Sequence, residues 1–259
     1  MKELYAVGIG PGSYEQMTVQ AVRTLEKSDV IIGYTVYVDL VREHFPGREF
    51  LSTPMRQEEE RCRMAFEEAE KGKTVSMVCS GDPGVYGMAG LLCGIGREHP
   101  DVELTVIPGV TAAASGAALL GAPLVQDFCV VSLSDLLVPW EKIESRLRAA
   151  AESGMAVVLY NPSSRKRAGH LNRACGILLE TLPEETICGL ARNIGREGES
   201  CRILTLSELK DAQTDMFTTV FIGTPETEQI GERMATPRGY QNRMKTEDES
   251  ESAEWKMDG

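Results

Sequence analysis

A loop of small and polar residues that directly follows a short apolar run is a candidate for a functional site. Residues 75–79 fit a strand that is covered on both faces. Ser80, Gly81 and Asp82 come next, and Pro83 follows them. Ligands of open α/β sheets lie beyond the carboxyl ends of the strands. We therefore expect this loop to form one wall of a small-molecule site.

The Asp-Pro pair in this loop also predicts a helix start. Asp82 fits the N-cap position and Pro83 the first helical position, ahead of a segment of small residues. Asp82 could serve as a cap alone or as a cap that also contacts a ligand. The sequence leaves both interpretations open.

The loop after the predicted first strand, residues 4–9, carries the motif GIGPG at residues 8–12. Its glycines would let the backbone approach a ligand closely. The motif is not the GxGxxG fingerprint of dinucleotide-binding proteins, because Ser13 occupies the third glycine position. Pro11 also removes one of the amides that could bind phosphate.

A third loop follows the predicted strand at residues 102–106 and leads into a helix of very small side chains, residues 111–120. Such a helix could simply pack tightly against a sheet. It could also present its first-turn amides and the Thr111 hydroxyl group to a ligand.

The second half of the chain repeats the alternation of strands and helices. A predicted strand at residues 155–160 ends in Asn161 and in a loop with three consecutive cations, residues 165–167. Another, at residues 186–191, leads to a polar loop with Arg192 and Arg196. The cations could be a solvated surface, or they could bind a substrate or the other domain.

Composition narrows the class of protein. The 259 residues carry a formal net charge of −12, which argues against a nucleic-acid partner. No segment is apolar over the length of a membrane span, so we expect a cytoplasmic protein without a membrane partner. The seven cysteines include no CxxC pair and the three histidines no metal motif. We therefore predict no metal site.

Six motifs in fixed order resemble the tetrapyrrole methylase family over residues 3–224. They are GIGPG, SGDPGVYG, PGVTAAASGAALLGAP, LYNPSSRKR, ARNIGREGE and TTVFIG. Within that family, GYTVYVDLV, STPMRQEEER, DLLVPWEKIESRL and LYNPSSRKR look like the members that methylate carbon 17 of precorrin-3B, or of cobalt-factor III, and contract the ring.

The resemblance implies an α/β protein of two domains, each a sheet flanked by helices, with the active site in the cleft between them. We expect an N-terminal domain at residues 1–121, a C-terminal domain at 122–236 and an acidic, disordered tail at 237–259. The cofactor implied is S-adenosylmethionine, which becomes S-adenosylhomocysteine. The substrate implied is an anionic tetrapyrrole, and the assembly is a homodimer.

The family's site residues map onto matching positions here. Those expected at the cofactor are Pro11, Ser80, Gly81, Asp82, Val85, Thr111, Ala112, Tyr160, Asn161, Ala191 and Thr219. Cations expected at the substrate's carboxylates are Arg56, Arg165, Lys166, Arg192 and Arg196. Ring contraction needs a general acid or base, which the sequence does not identify. Its candidates are Tyr34, Asp82 and Asn161.

The sequence is also compatible with other functions. One is another reaction of the same family, such as methylation of uroporphyrinogen or precorrin-4, or diphthine synthesis on a protein. An NAD-dependent oxidoreductase would need the glycine fingerprint that Ser13 interrupts. A binding module that has lost its chemistry would bind the cofactor without turnover. The sequence does not indicate whether the substrate carries cobalt.

Overall fold

The computed structural model describes residues 2–164 and 167–239, and it divides the chain into two compact units. Among the described residues, unit 1 contains residues 2–116 and a separate segment, residues 192–200. Unit 2 contains residues 117–164, 167–191 and 201–239. The chain therefore leaves unit 2 once to complete unit 1 and then returns.

Unit 1 is built on a five-stranded parallel sheet. Its strands are β1 (Lys2–Gly8), β2 (Val30–Tyr34), β3 (Glu49–Thr53), β4 (Thr74–Cys79) and β5 (Val102–Ile107), in the order β3-β2-β4-β1-β5. In the central strands Leu4 lies beside Val75 of β4 and Leu104 of β5. The inner strands β1, β2 and β4 are largely buried, as expected of a parallel sheet that helices cover on both faces.

Helices cover the sheet of unit 1 in two layers. They are α1 (Val19–Lys27), α2 (Thr35–Arg42), α3 (Glu58–Glu70) and α4 (Ala89–Ile95). Alternate residues of β1 divide between two cores: Leu4 and Ala6 pack with α3 and α4, whereas Tyr5 and Val7 pack with α1 and α2. This alternation follows from the two-residue period of a strand.

Helix α5 (Ala112–Leu120) contains the boundary between the two units. Three further helices belong to unit 2: α6 (Trp140–Glu152), α7 (His170–Leu178) and α8 (Leu206–Lys210). Its strands are β6 (Gly121–Ala122), β7 (Phe128–Ser132), β8 (Ala156–Tyr160), β9 (Ile187–Arg192), β10 (Ser200–Thr205), β11 (Thr218–Ile222), β12 (Glu228–Ile230) and β13 (Arg233–Ala235).

The strands of unit 2 form two sheets. The larger has the order β10-β9-β11-β8-β7, in which β7 is parallel to β8 and β11 is antiparallel to it. The smaller has the order β12-β13-β6. One core lies between the larger sheet and helices α6, α7 and α8, where Ile143, Leu147, Leu171 and Leu178 are buried.

The α/β class predicted from the sequence is confirmed. Helix α2 and the small sheet were not predicted. Part of the predicted tail, residues 240–259, lies outside the described residues. Among the helices of the described ranges, none has the length and apolar character that crossing a membrane would require.

Candidate active site

The loops after β1, β4 and β5 meet at the carboxyl edge of the sheet in unit 1. Gly81 N–H donates to the Gly10 carbonyl oxygen at 2.7 Å, and Gly10 N–H donates to the Gly81 carbonyl oxygen at 3.2 Å. A Cβ atom on Gly8 would lie 2.6 Å from Gly109 N, and one on Gly109 would lie 2.1 Å from Gly81 O. Glycine is therefore required where the backbones of these loops contact one another.

Asp82 does not cap a helix, so that prediction was wrong. Residues 83–88 form turns, and α4 begins at Ala89 with Met88 as its N-cap. The carboxylate instead accepts Gly84 N–H through Oδ1 at 2.7 Å and Gly109 N–H through Oδ2 at 3.0 Å. Asp82 thus links the loop after β4 to the loop after β5. Both carboxylate oxygens are occupied by these two amide donors, neither of which belongs to a helix.

Arg196 reaches the same edge from the segment 192–200. Its Nε donates to the Pro11 carbonyl oxygen at 3.0 Å and its Nη2 to Ser80 Oγ at 3.0 Å. Burial lowers the pKa of its guanidinium group from the ordinary value. A Cβ atom on Gly12 would lie 2.4 Å from Arg196 Cγ, so the glycine at that position leaves room for the arginine.

Two tyrosines and a second arginine continue this edge. The rings of Tyr34 and Tyr37 meet edge to face with their centroids 5.2 Å apart. The Arg196 guanidinium group lies 5.8 Å from the Tyr37 ring, and that of Arg61 lies 6.0 Å from the Tyr34 ring. Burial raises the pKa of Tyr37 above 10.0, although Arg196 opposes the shift, so its phenol stays protonated at neutral pH.

The remaining predicted cofactor residues of unit 1 lie beside Gly81. A Cβ atom on Gly81 would be 3.6 Å from Thr111 Cα and 3.8 Å from Ala112 N, which is ordinary contact. Val85 N–H donates to the Asp82 carbonyl oxygen at 3.3 Å. Arg196 connects Pro11 and Ser80 to the same loops. All seven predicted cofactor residues of unit 1 therefore belong to one loop cluster.

The predicted cofactor residues of unit 2 occupy strands β8, β9 and β11 and the turn after β8. Asn161 follows β8 with a positive φ of 54°, and its Nδ2 donates to Ser132 Oγ at 2.9 Å. Tyr160 is half-buried, whereas Ala191 and Thr219 are buried. Because β11 pairs with β8, Thr219 and Tyr160 are neighbours on adjacent strands.

The predicted substrate cations differ in position. Arg56 is exposed in a turn with a positive φ of 71°, and its N–H donates to Glu58 Oε1. Arg192 is exposed at the end of β9. Arg165 and Lys166 lie outside the described residues. Only Arg196 of this group lies at the loop cluster, within the ranges that the structure describes.

A cavity of about 350 Å³ opens beside Arg196, but its charge does not suit an anionic substrate. Four of its lining residues are acidic: Glu15, Asp39, Glu43 and Glu197. Over residues 2–164 and 167–239, no group of three or more His, Cys, Asp or Glu side chains could hold a metal ion.

Arg61 was missed by the analysis of the sequence. The inner stripe of α3 consists of Cys62, Ala65, Phe66 and Ala69, all of which are buried. Arg61 lies four residues before Ala65 and is buried as well. A cation at helical spacing from a buried stripe was the signal that could have identified it.

Known proteins resemble this chain over most of its length. The family model of Tetrapyrrole (Corrin/Porphyrin) Methylases matches residues 3–210. A probable cobalt-factor III C(17)-methyltransferase of Salmonella typhimurium is 42% identical, over 92% of this chain and 99% of the relative. A precorrin-3B C(17)-methyltransferase of Sinorhizobium sp is 41% identical, over 92% of this chain and 96% of the relative. The chain spans only about half the length of some other relatives.

Solved structures have the same fold. The methyltransferase CobJ superposes with a TM-score of 0.84 at 34% identity, covering 90% of this chain and 99% of that one. The uroporphyrin-III C-methyl transferase of Thermus thermophilus, solved in complex with S-adenosyl homocysteine, has a TM-score of 0.68 at 23% identity. That likeness covers 85% of this chain and 97% of the other, and it supports the fold alone.

Proposed function

Because the chain belongs to the tetrapyrrole (corrin/porphyrin) methylase family, we propose that it methylates carbon 17 of precorrin-3B or cobalt-factor III and contracts the ring, as a step of cobalamin biosynthesis. The observation that carries the proposal is the match to two C(17)-methyltransferases at 41% and 42% identity over nearly their whole length. Solved structures of other methyltransferases with this fold are covered almost as fully but are only 22–24% identical, so the higher identity is what favours this reaction.

The methyl donor proposed is S-adenosylmethionine, whose sulfonium group supplies an activated methyl group when it is bound. The loop cluster of unit 1 fits such a ligand. It lies at the carboxyl edge of the sheet, where ligands of open α/β sheets bind. The glycines at positions 8, 10, 81 and 109 hold its loops in close backbone contact. The donor has no phosphate, so neither a Walker lysine nor a dinucleotide fingerprint is needed.

The chain's own contribution is to align the reactants and to exclude water. Methyl transfer from an activated donor needs an in-line approach, so fixed loops contribute most to the rate. Asp82 and Arg196 fix these loops through four hydrogen bonds, to Gly84, Gly109, Pro11 and Ser80. We propose that both are positioning residues for the donor.

A protected thiol lies at the end of β4. Burial raises the pKa of Cys79 to about 11, so it is a neutral thiol at neutral pH. Since the thiolate is the nucleophilic form, the protonated side chain does not compete with the substrate for the methyl group.

Tyr34, Asp82 and Asn161 remain the proposed candidates for the general acid or base of ring contraction. Both carboxylate oxygens of Asp82 already accept a backbone N–H, and the amide of Asn161 donates to Ser132. These contacts favour positioning roles for both residues. Tyr34 lies at the end of β2 with its ring against Tyr37, and we propose it as the first candidate to test.

Arg56, Arg165, Lys166, Arg192 and Arg196 stay proposed partners of the substrate's carboxylates. A homodimer and a cytoplasmic location are also proposed, as the resemblance and the composition indicate. Light scattering on the purified protein measures the first, and a monomer at micromolar concentration would contradict it.

Incubation with S-adenosylmethionine and either precorrin-3B or cobalt-factor III tests the proposed reaction. We expect a product that has gained one methyl group from the donor and released a proton, and that has the visible spectrum of a contracted ring. Methylation of uroporphyrinogen or precorrin-4 in place of both would assign the chain to another reaction of the family. Cofactor binding without turnover on any tetrapyrrole would indicate a binding module.

A further inference from the structure

Arg61 is a buried cation whose protein partners are neutral. It lies in the first turn of α3 and is 4% exposed. Its Nε donates to Thr53 Oγ1 at 2.9 Å, and its Nη2 donates to the Pro54 carbonyl oxygen at 3.0 Å and to that of Thr53 at 3.5 Å. Among residues 2–164 and 167–239, no carboxylate lies within ion-pair distance of it, and its Nη1 donates to no protein atom.

Arg63, two residues later on the same helix, shows what an ordinary surface arginine does here. It forms ion pairs with Glu59 at 3.0 Å and with Glu98 at 2.8 Å, and its side chain is exposed. Helix α3 therefore carries one arginine with anionic partners in solvent and one arginine without them in the interior.

A buried charge is costly unless it is paired and hydrogen-bonded. The carbonyl and hydroxyl oxygens of Thr53 and Pro54 satisfy two of the three guanidinium nitrogens but do not neutralise the charge. The remaining nitrogen, Nη1, is not among the buried polar atoms without a partner, so it is accessible and can donate to an anion from solvent. A planar guanidinium group is well suited to a carboxylate, which it can bind through two parallel hydrogen bonds.

The position of Arg61 connects it to the candidate active site. Thr53 is the last residue of β3 and Tyr34 the last residue of β2, so Arg61 lies at the carboxyl edge of the sheet in unit 1. We name the sequence of contacts Arg61–Tyr34–Tyr37–Arg196 the arginine–tyrosine row. Its other end, Arg196, contacts Pro11 and Ser80 of the loop cluster.

We propose that Arg61 binds a carboxylate side chain of the substrate and makes the enzyme prefer acidic tetrapyrroles over neutral derivatives of the same ring. This inference rests on the proposed function, because it takes the substrate to be an acid-bearing tetrapyrrole. It adds a specificity-determining residue that is separate from the cations predicted from the sequence. A carboxylate matches the single accessible edge of one planar guanidinium group, to which it can bind through two parallel hydrogen bonds.

Binding of a stable porphyrin tests the inference without requiring turnover. The probes are uroporphyrin III, a polycarboxylate, and its fully amidated derivative, each titrated against the protein by porphyrin fluorescence. We expect the wild-type protein to bind the acid more tightly than the amide. In Arg61→Gln this preference should fall roughly tenfold to a hundredfold, the range for a hydrogen bond to a charged group.

Two further variants separate this role from a structural one. Arg63→Gln, the control on the same helix, should keep the wild-type preference. Arg61→Lys keeps the charge but not the planar fork, so its preference should lie between those of the wild type and Arg61→Gln. If Arg61→Gln does not fold, the acid-to-amide preference of Arg61→Lys tests the inference in its place. Binding of S-adenosylhomocysteine, measured by calorimetry, should stay within about twofold of wild type in all three variants.

The result that would overturn the inference is an acid-to-amide preference that is equal in the wild-type, Arg61→Lys and Arg61→Gln proteins. An equal loss of affinity for both probes would overturn it as well, because that is the effect of a purely structural arginine. The proposed function fails separately: a protein whose preference depends on Arg61 but which methylates neither precorrin-3B nor cobalt-factor III would disprove the reaction and not the carboxylate site.

Discussion

Gly109 lies where three loops leave no space for a side chain. A Cβ atom there would sit 2.1 Å from Gly81 O and 2.8 Å from the backbone of Gly8. Neither neighbour is the end of a flexible side chain that could move away. The same residue donates its N–H to Asp82, so its position also fixes the carboxylate.

We predict that Gly109→Ala lowers the free energy of unfolding by about 3 kcal/mol, at the upper end of the usual cost of overpacking. It should also weaken binding of S-adenosylhomocysteine, because Gly81 and Asp82 must shift. Urea unfolding and calorimetry measure the two effects. Gly90→Ala is the matched control, since a Cβ atom at that helical position meets open space. It should raise stability by about 0.5 to 1 kcal/mol, and equal destabilisation in both variants would contradict the account.

Arg196 joins residues that are far apart in the sequence, since it donates to Pro11 and Ser80. We predict that Arg196→Ala weakens binding of S-adenosylhomocysteine about tenfold, because both loops lose a charged donor. Ser80→Ala removes one of the two hydrogen bonds and should have a smaller effect. Calorimetry on the two variants makes the comparison. Unchanged affinity in Arg196→Ala would refute the positioning role.

At the scale of elements, the sequence predicted the parts whose pattern is local. The buried strands β1, β4 and β8 were predicted, because each is a short apolar run. Helix α2 was missed because it begins directly after a strand, with β-branched residues in its first turn. The strands of the small sheet have only two or three residues. They were missed because strands this short are recognised by their pairing, and β6 pairs with β13, which lies far from it in the sequence.

The sequence predicted the parts of the site where glycines allow two loops to come close together. It did not predict hydrogen bonds between residues that are far apart in the chain. Asp82 was misassigned because the donor from Gly109 lies 27 residues away. Arg196 was expected at a substrate, yet its hydrogen bonds run to Pro11, 185 residues earlier, and to Ser80. No local pattern carries that information.

Helices α6 and α7 are joined by a carboxylate whose charge can be titrated. Glu144 accepts from Trp140 Nε1 at 2.7 Å and from Arg173 Nη2 at 2.6 Å. The indole N–H, and after it Arg173, hold the pKa of Glu144 below its ordinary value of 4.5. Since its pKa is lowered in the folded state, the ionised form stabilises the fold above about pH 4.5. That contribution is lost as the pH falls through the folded-state value.

We therefore predict that Glu144→Gln is less stable than wild type at pH 7 and that the difference disappears in acid. Chemical unfolding at a series of pH values from 7 to 3 measures it. Glu141→Gln is the control, because Glu141 lies on the same helix and makes no side-chain hydrogen bond or ion pair within the described residues. A difference for Glu144→Gln that does not change with pH would contradict the electrostatic explanation.

At the scale of the whole molecule, the chain builds two units that are not continuous in sequence. Residues 192–200 return to unit 1 after most of unit 2 has been formed. The predicted boundary at residues 121 and 122 assumed one crossing. The break of the helical pattern at residues 121–123 is visible in the sequence, whereas a segment that returns to the first unit leaves no local signal. Arg196 lies on this segment, so the loop cluster of unit 1 needs chain from the second half.

The net charge of −12 is also a property of the whole molecule, and it is unfavourable for an acidic substrate. Binding must therefore depend on local cations that the surrounding chain holds in place. Arg61 and Arg196, at the two ends of the arginine–tyrosine row, are the described residues that best fit this requirement.

The central claim is that this chain methylates carbon 17 of its substrate and contracts the ring. The most direct test uses S-adenosylmethionine with a ¹³C-labelled methyl group, and reads the product by mass spectrometry and ¹³C NMR. The account predicts one labelled methyl group, on carbon 17, in a contracted macrocycle. A label on any other carbon, or a methylated ring that keeps its original size, would contradict it.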